Sequence, residues 1–178
     1  MFSVMIQLAM SFSNAPATFR INVNPWPAHG EPSALLVAQA ADGTKAGQVG
    51  LQIRQISRAG LPASEWPFVE GAVAERVLLS ELWVHEAFRR QGLGRRLCLA
   101  CEEVVRSEPW GFQELFLYVE ERNLNARNLY LGIGYEYADP ANAERLSSEP
   151  LKAGIMAGII ETFRKATADP ICLRKDLV

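Results

Sequence analysis

The sequence predicts one α/β domain built on a mixed sheet flanked by helices. Three observations carry this: two strand-like runs joined by a turn dipeptide, a later order of strand, helix, strand, helix, strand, and a length of 178 residues, enough for one sizeable core. Hydrophobic residues make up 49 % and charged residues 21 % of the chain, a globular balance rather than a disordered one.

Taken in order, residues 1–15 are apolar but carry no Lys or Arg ahead of the hydrophobic run, so they read as a flexible or targeting-like tail before a domain spanning 16–178. Residues 19–23 alternate as a short strand does, and Pro25, Pro27, Gly30 and Pro32 then break the chain. A hairpin follows over 34–39 and 48–56, turned through Asp42-Gly43. Gly60, Pro62, Pro67 and Gly71 mark a loop over 57–74. The run 76–85 (RVLLSELWVH) is a central strand, interrupted by Ser80 and Glu81. Apolar positions Leu93, Leu97, Ala100, Cys101, Val104 and Val105 give residues 92–106 the spacing of an amphipathic helix. Residues 114–120 (ELFLYVE) form a second core strand, 125–131 a short helix, and 135–138 the start of another strand. A helix is expected over 151–165 within an insertion at about 139–170, and 171–177 is the last strand.

Charge and cysteine content exclude several function classes. With a net charge of −2 and a pI of about 5.8, no global basic field exists to hold nucleic acid or an anionic membrane. No apolar stretch approaches the roughly 18 residues a spanning helix needs. Cys98, Cys101 and Cys172 are an odd set without framework spacing, which points to a reducing, cytoplasmic compartment, or to the plastid stroma if the N-terminus is a targeting remnant. Cys98 and Cys101 fall inside the expected helix and read as buried small residues. His29 and His85 are too few and too distant for a metal site, so no metal is expected.

Chemistry concentrates in Arg89-Arg90-Gln91-Gly92-Leu93-Gly94-Arg95-Arg96, between the strong strand and the amphipathic helix. Glycines let backbone amides crowd a ligand, and amides at a helix N-terminus lack internal partners, a geometry that binds phosphate. Cations at that end oppose the helix dipole, each by about 0.3 to 1 kcal/mol, and a bound diphosphate reverses the sign. A solvated basic turn is the plainer alternative. A P-loop is ruled out because Arg95-Arg96 stands where Lys-Ser/Thr is needed, and a dinucleotide fingerprint because Leu97 replaces the third glycine.

Arg89-x-x-Gly92-x-Gly94 after ELWVH resembles the acyl-CoA diphosphate loop of the GNAT N-acetyltransferase superfamily. Asn123, Ala126, Leu129, Tyr130, Gly134 and Tyr135 resemble that family's second signature, Asn-x-x-Ala-x-x-Leu-Tyr-x-x-x-Gly-Phe/Tyr, in order and spacing. The ending LRKDL is faintly similar to plastid and cyanobacterial members. The resemblance implies the GNAT fold, acetyl-CoA as donor, and transfer of its acetyl group to a primary amine on a protein N-terminus, a lysine or a small molecule. A non-catalytic CoA-binding sensor or an assembly module of the same fold is the alternative.

Carried over residue by residue, the resemblance implies that the backbone of Leu82, Trp83 and Val84 pairs with pantetheine, with the Trp83 indole expected in the core. It implies that Arg89, Arg90, Gln91, Gly92, Leu93, Gly94 and Arg95 hold the diphosphate. Asn123 would hydrogen-bond the pantetheine arm, cap the following helix, or both. Tyr130 would be the general acid that protonates departing CoA. For the base, Glu81 leads, because it interrupts an apolar strand where burial would raise its pKa; its alternatives are binding the acceptor's charge or pairing with an arginine. Glu120 and Glu121 follow it. The two helices that typically line the acceptor groove have no room in residues 24–33, so the lip is missing or rebuilt. The 139–170 insertion is expected to pack on the surface, to cover that groove, or to dock on a partner subunit, a homodimer being common in the family.

Overall fold

The computed structural model describes residues 19–25, 33–57, 74–139 and 170–177. Seven strands, β1 (Arg20–Pro25), β2 (Ser33–Gln39), β3 (Lys45–Ile56), β4 (Ala74–Val84), β5 (Glu114–Glu120), β6 (Glu136–Tyr137) and β7 (Pro170–Asp176), join in one sheet in the order β1-β2-β3-β4-β5-β7-β6. Two helices accompany them among the described residues, α1 (Leu93–Arg106) and α2 (Leu124–Leu131). The expected strands and helices fall where the periodicities put them, within one to three residues at most ends. The 1–15 tail, His29, the 58–73 loop, and the 140–169 part of the insertion with its expected 151–165 helix lie outside the described residues.

Two compact units share the chain. One comprises Met1–Arg54, Glu75–Leu115 and Leu177–Val178, the other Gln55–Ala74 and Phe116–Asp176. In the first, β1, β2 and β3 form an antiparallel meander with Val23 opposite Leu36 and Leu36 opposite Val49. Period-two alternation puts Ala34, Leu36 and Ala38 of β2 and Val49 and Leu51 of β3 inside. The Asp42-Gly43 turn closes as its chemistry dictates: Gly43 N donates to Ala40 O at 3.0 Å, Ala40 N to Thr44 O at 2.9 Å, and Thr44 N to the Asp42 carboxylate at 2.9 Å. That last bond holds the Asp42 carboxyl below its usual range.

Helix α1 buries Leu93, Leu97, Ala100, Cys101, Val104 and Val105, the stripe read from the sequence, together with Cys98 and Glu102. It lies close on the meander because Gly47 has no side chain. A Cβ there would stand 2.8 Å from Trp83 O and 3.1 Å from Leu97 Cδ1. An ion pair between Arg76 and Glu114, both largely shielded from solvent, ties the start of β4 to the start of β5.

In the second unit, β6 pairs antiparallel with β7, Tyr137 opposite Leu173. Phe116, Leu117 and Val119 of β5, Ile171 and Leu173 of β7, and Tyr130, Ile133 and Tyr135 fill its core. Arg127 fastens α2 on both sides, donating to Glu121 O at 2.8 Å and to the Tyr137 hydroxyl at 2.9 Å.

Candidate active site

Strand β4 ends at Val84, and the chain turns at once through a single 3₁₀ turn, Glu86–Phe88, into α1. Four bonds fix this turn. His85 Nδ1 accepts from Ala87 N at 3.2 Å, Phe88 N donates to His85 O at 2.9 Å, Arg89 N to Glu86 O at 3.1 Å, and Arg89 Nε back to Val84 O at 3.1 Å. Gln91 Nε2 adds a bond to Ala87 O at 3.1 Å.

Beyond that turn the donors stop finding acceptors. The amides of residues 90 to 95 donate to no acceptor among the described residues, and the next one, Arg96 N, begins the helical ladder by bonding Gly92 O at 3.1 Å. Arg90 at φ 61° and Gly92 at φ 76° are both left-handed and follow the extended Arg89, so the chain bends sharply as it enters the helix. Only glycine adopts this backbone freely, so Gly92 is demanded by φ, not by space, for nothing lies within 4 Å of a Cβ there. Gly94 sits in the first turn of α1, which carries no acidic residue and does carry Arg95 and Arg96. Arg90 and Arg95 are exposed. Arg96 lies over the Phe19 ring at 5.3 Å, and its Nε and Nη1 are buried without a hydrogen-bond partner. Open amides and a positive helix end flanked by exposed Arg90 and Arg95 suit a diphosphate.

Just upstream, the structure corrects two expectations. Glu81 is exposed, so the burial assumed for its carboxylate is absent. It also stands at φ 53°, a left-handed residue inside a strand. A non-glycine there costs on the order of 1 kcal/mol, and such strain gathers at functional positions. Trp83 is not a core residue: its side chain is 41 % exposed, with the Lys45 ammonium 5.9 Å over its ring and His85 edge-on at 5.8 Å. The alternation that buries Val77 and Leu79 does not continue past Glu81, which is why a strand apolar by sequence shows a tryptophan to solvent.

The second signature lies in the other unit. Asn123 is the N-cap of α2, its Oδ1 accepting from Ala126 N at 3.2 Å. Tyr130 is buried, and its ring is 5.7 Å from Tyr135. Its carbonyl accepts from both Ile133 N and Tyr135 N at 3.1 Å, so the residues after α2 are pinned to it. Of the other carboxylates considered as base, Glu120 is exposed and ion-paired to Arg122 at 2.8 Å, while Glu121 offers its carbonyl to Arg127. That pairing raises the Arg122 pKa. Cys98, Cys101 and Cys172 are buried and form no disulfide, and no cluster of metal-ligating side chains occurs among the described residues.

A mixed sheet with open backbone amides between β4 and α1 is an arrangement that suits an anion at a helix N-terminus. Residues 7–135 match the acetyltransferase (GNAT) family, and the chain belongs to that family of acyltransferases. Among solved structures, a GNAT acetyltransferase of Staphylococcus aureus Mu50 superposes with a TM-score of 0.50 at 12 % identity, covering 82 % of this chain and 68 % of that one. Naa20 of Chaetomium thermophilum, in complex with a bisubstrate analogue, gives 0.51 at 16 % identity over 80 % and 65 %. A spermidine N-acetyltransferase SpeG mutant of Vibrio cholerae gives 0.51 at 14 % over 84 % and 68 %. These likenesses concern the fold, and the chain spans about two thirds of each. No curated protein matches the sequence.

Proposed function

We propose that this protein moves the acetyl group of acetyl-CoA directly onto a primary amine, with no metal. The observation that carries this reading is the run of unclaimed amides over residues 90 to 95, curved by left-handed Arg90 and Gly92 and opening on a basic helix end. Arg89, Arg90, Gln91, Gly92, Leu93, Gly94 and Arg95 hold the CoA diphosphate. Of these, Arg89 acts by bracing the turn on Val84 O, while the others offer amides or charge. Backbone groups of Leu82, Trp83 and Val84 pair with pantetheine, and Asn123 adds a hydrogen bond to it while capping α2.

In the reaction, the acceptor nitrogen attacks the thioester carbonyl, the C–S bond breaks, and the amine proton leaves to Glu81 directly or through water. Tyr130 gives its hydroxyl proton to the departing thiolate. An exposed Glu81 favours the role of drawing in an ammonium and accepting its proton in contact with solvent. Protein N-termini, lysines and small amines are all within reach of this chemistry.

Incubation of peptide and small-amine libraries with acetyl-CoA, read by intact mass, tests the proposal together with Tyr130→Phe. We expect an acetylated acceptor, CoA affinity unchanged in the variant, and turnover lowered about a hundredfold, the lower range for general acid catalysis. Undiminished turnover in Tyr130→Phe assigns the tyrosine to packing. CoA affinity without transfer to any amine would favour a binding module, and indifference to CoA in calorimetry overturns the reading.

A further inference from the structure

His85 lies where β4 stops and the cradle begins, and the family signature does not account for it. Its amide bonds Ala46 O at 2.9 Å, anchoring it to β3, and its carbonyl accepts from Phe88 N. Its ring is edge-on to Trp83 at 5.8 Å and tilted against Phe88 at 5.8 Å, and Phe88 in turn meets the buried Phe19 edge-on at 5.6 Å. Within this frame Nδ1 has one task, accepting from Ala87 N as the N-cap of the 3₁₀ turn.

We propose that His85 is a positioning residue for the diphosphate cradle, acting only as the neutral imidazole whose Nδ1 is an acceptor. Neutral imidazole can place its proton on Nε2 and leave Nδ1 to the Ala87 amide; imidazolium carries protons on both nitrogens and cannot accept. Protonation therefore sets two N–H groups face to face and releases the cap. The released turn is the one that aims Arg89 at Val84 O and Gln91 at Ala87 O, so the amides of residues 90 to 95 lose the brace that curves them. A charged imidazole at this position is therefore incompatible with the capped, curved form of the cradle.

The charged groups around the ring are Glu86 beside it in the turn, Lys45 of β3 over the Trp83 ring, Arg89 on Val84 O, and Arg96 of α1 over Phe19. Among the described residues, no carboxylate forms an ion pair with His85 that would hold the imidazolium in place of the cap.

The inference rests on the proposed binding of CoA at this loop, and the test separates the two. Calorimetric titration of the full chain with CoA, from pH 8 to pH 5.5, is compared for wild type and His85→Asn, because an Asn carboxamide keeps an acceptor at every pH. CoA's own phosphates titrate in both proteins, so the ratio of their dissociation constants isolates the residue. We expect near-equal affinity at pH 8 and a variant about fivefold tighter than wild type at pH 5.5, the worth of one cap bond. His85→Ala should be weaker than wild type at pH 8. Parallel profiles for wild type and His85→Asn, or wild type gaining on the variant on acidification, overturn the proposal. Absence of CoA binding by wild type at pH 8 overturns the proposed function itself, and this inference with it.

Discussion

Burial sets the behaviour of individual side chains here, and Cys172 shows it most directly. Desolvation pushes its thiol up to about 12 from an ordinary 9.0, because a thiolate in that apolar setting would lose its water. Cys101 is also raised, first by burial and then by Cys98 and Glu102. The unfolded chain sheds the Cys172 proton near pH 9 while the folded chain keeps it to about pH 12. This group's contribution is therefore whole below pH 9 and disappears as pH climbs from 9 to 12. Denaturant midpoints should fall over that window, and Cys172→Val should flatten the fall. An unchanged slope in the variant would remove Cys172 from the explanation. At Gly92 the demand is on the backbone. With φ 76° and open space around a Cβ, Gly92→Ala should lose about 1–2 kcal/mol and weaken CoA binding, while Gly92→Asn should lose much less, because Asn tolerates the left-handed region. Equal losses for Ala and Asn in thermal melts would show that size, not φ, is what this position resists.

At the scale of elements, two short-range devices hold the structure in place. Asn123 starts α2, so Asn123→Ala should cost about 1 kcal/mol in chemical denaturation and Asn123→Ser nearly nothing. If Asn123 also holds pantetheine, the Ser variant separates the two roles by keeping stability and losing CoA affinity. Gly47 lets β3, β4 and α1 approach, and Gly47→Ala should cost about 1–3 kcal/mol, since a carbonyl oxygen at 2.8 Å cannot be turned aside like a side-chain end. A wild-type melting temperature for that variant would mean the contact relaxes freely. These elements were legible because their signals are local: the Asp42-Gly43 turn, the α1 stripe and the Asn123 cap each lie within a few residues. Tyr130 and the glycine loop were singled out through their resemblance to the family's two signatures. Trp83 and Glu81 were misjudged for a shared reason. A left-handed residue in mid-strand has no sequence mark when a glutamate occupies it, so the apolar run was read as a buried central strand throughout. The cap by His85 was invisible too, because histidine is an uncommon N-cap and the turn it caps is only three residues long.

Across the whole molecule, a chain of net charge −2 must attract a polyanionic donor by local arrangement. Among the described residues, no helix is long and apolar enough to cross a membrane. The loop's exposed cations are Arg89, Arg90 and Arg95, of which Arg89 is tied through Nε to Val84 O, whereas Arg96 lies against Phe19. Exposed charges are screened within about 8 Å at physiological salt, so their part in binding must fade as salt rises, whereas hydrogen bonds from the backbone amides persist. CoA affinity should accordingly drop severalfold between about 50 and 500 mM salt, and the double variant Arg90→Gln, Arg95→Gln should bind more weakly at low salt with a flatter salt dependence. At high salt the two proteins should converge, because the backbone amides of residues 90 to 95 are common to both. A double variant whose affinity keeps the wild-type salt slope would place the attracting charge elsewhere on the surface and leave the amides alone to define this site.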